Sequence, residues 1–71
     1  MRMKVGDLKL LGSSGQYHTS TGYVMVFFPS GVIGARTPCG SYVELQERSE
    51  DVREAKRKFI EWANRHQSGL E

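Results

Sequence analysis

The residues that could do chemistry are few and lie far apart in the sequence. Cys39 is the single cysteine, and His18 and His66 are the two histidines. Zinc ligands usually come in closely spaced pairs, and no such pair exists here, so we predict no metal site. No pattern supplies either histidine with a nucleophile and a third group to orient it. The sequence therefore predicts a protein that is not an enzyme and that carries no cofactor.

Cys39 lies in a predicted turn and is expected to be an exposed, incidental thiol. A reactive thiol needs nearby positive charge, and Arg36 is the closest candidate in the sequence. A lone cysteine fits a reducing compartment. No apolar leader follows the first four residues, and no stretch approaches the roughly 20 apolar residues of a membrane span. We therefore expect a cytoplasmic protein without a membrane segment.

The basic residues suggest a different chemistry, which is contact with phosphate groups. Ten basic and eight acidic residues give a net charge of +2. A nucleic-acid-binding domain usually has a denser basic footprint. On the predicted helix, Glu54 precedes Lys58 by four residues, which is typical of a solvated helix face. Nucleic-acid binding, to DNA or to single-stranded RNA, is the alternative hypothesis, and its candidate residues are Lys4, Lys9, Arg36, Arg53 and Arg57.

The elements that would position these residues form a single α+β domain over 1–71. Residues 22–46 predict a three-stranded antiparallel meander, because short β-favouring runs alternate with Pro29-Ser30-Gly31 and Pro38-Cys39-Gly40, two turns nine residues apart. Residues 1–15 predict an N-terminal strand and linker, and the strand would make the sheet four-stranded. An amphipathic helix is predicted over 49–67, with Ser49 as its N-cap. Its sheet-facing arc contains Val52, Ala55, Phe59, Trp62, Ala63 and His66.

The strand at 23–28 is apolar on both of its sides. Alternation separates the even-numbered residues from the odd-numbered ones. We assign the even-numbered set to the helix side, where Ile33, Ala35, Val43 and Leu45 would join it. The outer face would then carry four large side chains, which are Tyr23, Met25, Phe27 and Tyr42.

Three explanations for this apolar outer face stay open. Residues 3–11 could cover it, a protein partner or a second copy could bind it, or its aromatic rings could stack on single-stranded bases. A chain of this size often gains stability from a disulfide, a metal or a partner subunit. Since the first two are not predicted, a homodimer is the expected form. The first functional hypothesis is thus a non-catalytic protein-interaction module that uses the outer face.

One architectural resemblance covers residues 20–67. Gly22-Tyr23-Val24 opens a strand, Pro29-Ser30-Gly31 forms a turn, and a helix follows from Ser49. This layout resembles the small DNA-binding domains of some tyrosine recombinases and the plant GCC-box-binding domains. The resemblance implies a meander packed on one helix. In those families, arginines project from the sheet into the major groove, whereas the outer face assigned above offers tyrosine, methionine and phenylalanine.

Overall fold

The computed structural model describes residues 2–11 and 15–69 and contains one antiparallel sheet packed on one helix. The described strands follow each other in sequence order as a meander, and they are β1 (Lys9–Leu11), β2 (Gln16–His18), β3 (Val24–Phe27), β4 (Ile33–Arg36) and β5 (Tyr42–Glu44). A short 3-10 turn at Val5–Asp7 precedes β1, and the helix α1 (Val52–Gly69) follows β5. The α+β prediction is confirmed, with five strands where three or four were predicted.

The strand missing from the sequence prediction is β2, which pairs with both β1 and β3. Lys9 lies opposite His18, and Tyr17 lies opposite Met25. With three residues and a single large apolar side chain, β2 offers too little alternation to indicate a strand. The linker predicted over 12–15 lies mostly outside the described residues.

Three hairpin loops of the same construction join β2 to β5. They span 19–23, 28–32 and 37–41, and in each the first residue's N–H bonds to the fifth residue's carbonyl. The fourth residue is a glycine with φ of 94° to 97°, as a three-residue loop closed by a glycine bulge requires. The first loop contains Ser20 where the others contain proline, so only two were identified from the sequence. Gly22, which lies nine residues before Gly31, was the sequence feature that could have identified the first loop.

The N-cap of the helix lies two residues later than predicted, and the helix begins at Val52. The carboxylate of Asp51 accepts a hydrogen bond from the Glu54 N–H at 2.8 Å, so Asp51 is the N-cap and the prediction of Ser49 is wrong. Ser49 is buried instead, and its N–H donates to the Gly31 carbonyl at 2.9 Å. The second hairpin loop therefore fixes the point at which the chain enters the helix.

The sequence prediction assigned the wrong side of β3 to the helix. Met25 is fully buried and Tyr23 is 2% exposed, and Phe27 packs against the same core. The loop at 28–32 brings Phe27 opposite Ile33, so the odd-numbered residues of both strands share the helix side. A shift of one residue in register moves every side chain to the other face. Tyr23, Met25 and Phe27 therefore cannot form an outer interface.

The relation between β4 and β5 follows the prediction. Ala35 lies opposite Val43, and Arg36 lies opposite Tyr42. Ile33 and Ala35 are fully buried, as are Ala55, Phe59 and Ala63 of the helix. Trp62 is half-buried against this core. The helix arc is wider than predicted, since it also includes Ile60.

The N-terminal segment packs on the helix rather than across the sheet. Met3 is buried, its N–H donates to Asn64 Oδ1 at 2.7 Å, and Asn64 Nδ2 donates to the Met3 carbonyl at 3.0 Å. Because β1 then extends the edge of the sheet, residues 3–11 do not cover the face opposite the helix. No helix or other segment within residues 2–11 and 15–69 packs on that face, which is called the open face below. In the same ranges, no helix is long and apolar enough to cross a membrane.

Candidate functional site

The open face is organised as two rows of residues that run across the strands. Register places the first row, called the basic row below, in the order Lys9, His18, Val24, Arg36 and Tyr42. The next row contains Gln16, Val26, Gly34 and Glu44. Each residue of the basic row comes from a different strand, so the meander assembles this row from five separate positions of the sequence.

Tyr42 lies across the sheet rather than standing away from it. A Cβ atom built on Gly34 would meet Tyr42 Oη at 2.6 Å and two ring carbons at 3.0 and 3.1 Å. The distal part of the ring therefore occupies the space that a side chain at Gly34 would fill, and the tyrosine is still 51% exposed. Its hydroxyl donates to Glu44 Oε2 at 3.3 Å. This arrangement leaves the Tyr42 ring accessible on the open face.

The phenol of Tyr42 stays protonated at neutral pH. Desolvation raises its pKa above the ordinary value, and the nearby carboxylate of Glu44 raises it further. A neutral phenol adds no negative charge to the face, and it keeps a proton with which to hold Glu44. The aromatic surface is therefore uncharged and anchored to its own strand.

Two of the five nucleic-acid candidates lie on the open face. Lys9 and Arg36 are exposed, and within the described part of the chain neither forms an ion pair or a side-chain hydrogen bond. They lie on β1 and β4, which are about 14 Å apart at the usual strand spacing. Arg36 lies directly beside Tyr42 in the basic row. The face thus combines separated positive charges with an aromatic ring.

The other three candidates lie elsewhere. Arg53 and Arg57 are on the solvent side of the helix, and Arg57 pairs with Glu61 at 3.4 Å. Lys4 is exposed in the segment before the 3-10 turn. Lys58 pairs with Glu54 at 3.2 Å, as their spacing indicated. The helix cations therefore form a separate, partly paired surface.

Comparison with known proteins gives no relative. No family model, curated protein or solved structure matches the chain. The resemblance to the recombinase and GCC-box-binding domains is thus one of layout. Arg36 and Lys9 lie on the open face, whereas Met25 and Phe27, which the sequence prediction had placed there, lie under the helix.

An aromatic cluster of Tyr23, Trp62 and His66 joins the C-terminal end of the helix to the sheet. Tyr23 Oη lies 2.8 Å from His66 Nδ1, and Trp62 stacks on the His66 ring with centroids 5.1 Å apart. Burial raises the pKa of the Tyr23 phenol. A buried phenol needs a hydrogen-bond partner, and the imidazole provides it. The sequence had predicted Trp62 and His66 on the sheet-facing arc of the helix, but it had assigned Tyr23 to the outer face.

Cys39 is exposed at the tip of the third hairpin loop, as predicted. Thr37 Oγ1 lies 3.0 Å from its sulfur and Ser41 Oγ lies 3.7 Å away. Hydrogen bonding from Thr37, and then from Ser41, lowers the pKa of the thiol. These hydroxyls supply the effect for which the sequence had suggested Arg36. Over the described ranges, no group of three or more histidine, cysteine or acidic residues could hold a metal ion.

Proposed function

We propose that this protein is a non-catalytic module that binds single-stranded nucleic acid on the open face of its sheet. The observation that carries the proposal is the position of Tyr42, which lies over Gly34 with half of its surface exposed and with Arg36 beside it. A base stacks on an exposed aromatic ring with little dependence on sequence, because every base has a π-face.

The charges around the ring suit a polyanion. Lys9 and Arg36 belong to the basic row, and neither is paired with an acid in the described chain. Glu44 is the acidic residue described on this face, and its carboxylate is directed to the Tyr42 hydroxyl. Lysine and arginine that neutralise phosphates release counterions, which supplies affinity independent of sequence. A single-stranded nucleic acid that lies along the basic row would therefore contact Lys9 on one side of Val24 and Arg36 on the other.

A protein partner is the second candidate function. Val24 and Val26 are half-buried on the open face, and alternation adds the half-buried Phe28 and Val32. These four apolar residues form a strip that is better suited to contact with another protein than to contact with a phosphate backbone. Tyr23, Met25 and Phe27, which the sequence analysis assigned to a protein interface together with Tyr42, lie under the helix. A protein contact on the open face would therefore be made by the apolar strip and Tyr42. The single cysteine supports a cytoplasmic location for either function.

Binding to a fluorescent single-stranded oligonucleotide, measured by anisotropy at several salt concentrations, tests the proposal. Tyr42→Ala should weaken binding by about 5- to 150-fold, equivalent to the ~1–3 kcal/mol of one stacked base. Tyr42→Phe keeps the ring and should bind nearly as well as the parent. Arg36→Ala should weaken binding and should reduce the slope of log affinity against log salt by about 0.7 for each lost phosphate contact.

Arg53→Ala is the matched control, since Arg53 is an exposed arginine on the helix, remote from the open face. Its affinity and salt slope should equal those of the parent. The absence of binding by the parent at low salt would reject nucleic acid as the ligand. Equal losses for Arg36→Ala and Arg53→Ala would instead reject the open face as its site.

A further inference from the structure

The free edge of β5 exposes main-chain groups in a regular pattern. Leu45 N–H donates to the Ile33 carbonyl at 2.9 Å, and Thr37 N–H donates to the Ser41 carbonyl at 2.9 Å. In an antiparallel ladder the bonded residues alternate along each strand. Val43 therefore bonds to β4, while the N–H and C=O groups of Tyr42 and Glu44 point away from the sheet.

The edge of β5 is protected by its short length and by the charge of Glu44, but the strand contains no proline or lysine. Proteins protect such edges with very short strands, charged side chains, proline, bulges or a covering element. The strand consists of Tyr42, Val43 and Glu44, and the order of the described strands leaves its outer side unpaired. Val43 is 43% exposed on the helix side. It borders a groove of about 430 Å³ between β5 and the helix, whose other lining residues include Leu45, Trp62 and Arg65.

We propose that two copies of this chain pair through their β5 edges, antiparallel, about a two-fold axis at Val43. The register of this pairing follows from the main-chain N–H and C=O groups that point away from the sheet, which are those of Tyr42 and Glu44. Tyr42 of each copy lies opposite Glu44 of the other copy, and each of these two pairs exchanges two main-chain hydrogen bonds. Val43 then faces its own equivalent as a non-bonded pair, in which the side chains approach most closely.

The side chains of β5 complement themselves under this symmetry. On the open face, each phenol lies opposite the carboxylate of the other copy, and no charge lies directly opposite a like charge. Hydrogen-bonding cross-strand pairs of this kind stabilise a sheet, whereas like charges destabilise it. On the helix side, two exposed valines cover each other beside the two grooves. A second copy therefore fits the edge with its polar and apolar positions matched.

The pairing would join two meanders into one continuous ten-stranded sheet. Because the two-fold axis is perpendicular to that sheet, both open faces lie on the same side. The dimer also supplies the additional stabilisation that a domain of this size often needs. The inference does not depend on nucleic-acid binding, because the pairing is made by β5 of each copy and its tests measure association of the chain alone.

Sedimentation of the full chain from micromolar to millimolar concentration tests the association. The parent should move from the mass of one chain to that of two. Val43→Arg opposes two cations at the axis and should raise the dimer dissociation constant at least about tenfold. Glu44→Pro removes an outward N–H and spares the bonds to β4, so it should also give a monomer with a parent-like circular dichroism spectrum. Leu10→Arg is the control, since Leu10 is exposed at the opposite edge.

Disulfide cross-linking tests the register directly. In a Cys39→Ser background, Val43→Cys should form a covalent dimer much faster than Leu10→Cys under mild oxidation, because residues in a non-bonded pair approach to disulfide distance. A parent that stays monomeric at millimolar concentration overturns the proposal. Equal cross-linking rates for the two variants, or equal weakening by the two arginine substitutions, would overturn the β5 edge as the interface.

Discussion

Met25→Glu is expected to leave the protein largely unfolded, whereas Val26→Glu, one residue further along the same strand, is expected to leave it folded. Met25 is fully buried under the helix, and Val26 is half-buried on the open face. An unpaired carboxylate in a core loses its hydration, and several kcal/mol are lost even if it becomes protonated. A small domain has about 5 kcal/mol of stability to lose.

Val26→Glu is the matched control, because it introduces the same charge into the same strand. Its glutamate can remain hydrated, so the cost should stay within the ~1 kcal/mol range of strand propensities. Circular dichroism and thermal melts of both variants would decide between the two registers. A folded Met25→Glu together with an unfolded Val26→Glu would restore the original assignment of the faces.

The α+β class and the position of the helix could be read from the sequence because each depends on local pattern. The apolar spacing of Ala55, Phe59 and Ala63 is helical whatever the helix packs on, and these three residues are fully buried. The turns at Gly31 and Gly40 likewise depend on residues next to each other in the chain. Local patterns of this kind do not need the fold to be known.

The faces of the sheet could not be read in the same way. Alternation divides β3 into two sets, but both sets are apolar, so composition does not show which one the helix covers. The answer depends on loop length, since the loop at 28–32 sets Phe27 opposite Ile33. Alternation alone had placed Tyr42 on the outer face, and Arg36 lies on the same side because it pairs with Tyr42. That Lys9 belongs to this face was visible only from the pairing of β1 with β2 and of β2 with β3.

The position of Tyr42 over Gly34 is also a cross-strand property. The two residues are adjacent only because β5 folds back on β4. Glycine within a strand often marks a close approach by another group. The sequence could have suggested that something lies over Gly34, although it could not identify the tyrosine.

A series of three glycine substitutions should separate backbone strain from crowding at the hairpin loops. Gly40, Gly22 and Gly31 have nearly the same positive φ, between 94° and 97°. Alanine in this left-handed region costs roughly 1–2 kcal/mol at any of them. Their surroundings differ. A Cβ atom at Gly40 would meet nothing within 4 Å, one at Gly22 would meet the Pro38 ring at 3.1 Å, and one at Gly31 would meet the Ser49 carbonyl oxygen at 2.8 Å.

Gly31→Ala should therefore be the most destabilising of the three, with Gly40→Ala the least. The carbonyl of Ser49 belongs to the main chain that enters the helix, and Ser49 N–H is bonded back to Gly31 at 2.9 Å. Relief of the clash must break that bond or move the Asp51 cap, which adds about 1–3 kcal/mol of overpacking to the strain. Urea unfolding of the three variants measures the difference, with Gly40→Ala as the reference for strain alone. Equal losses at Gly31 and Gly40 would mean that the second hairpin loop does not hold the start of the helix.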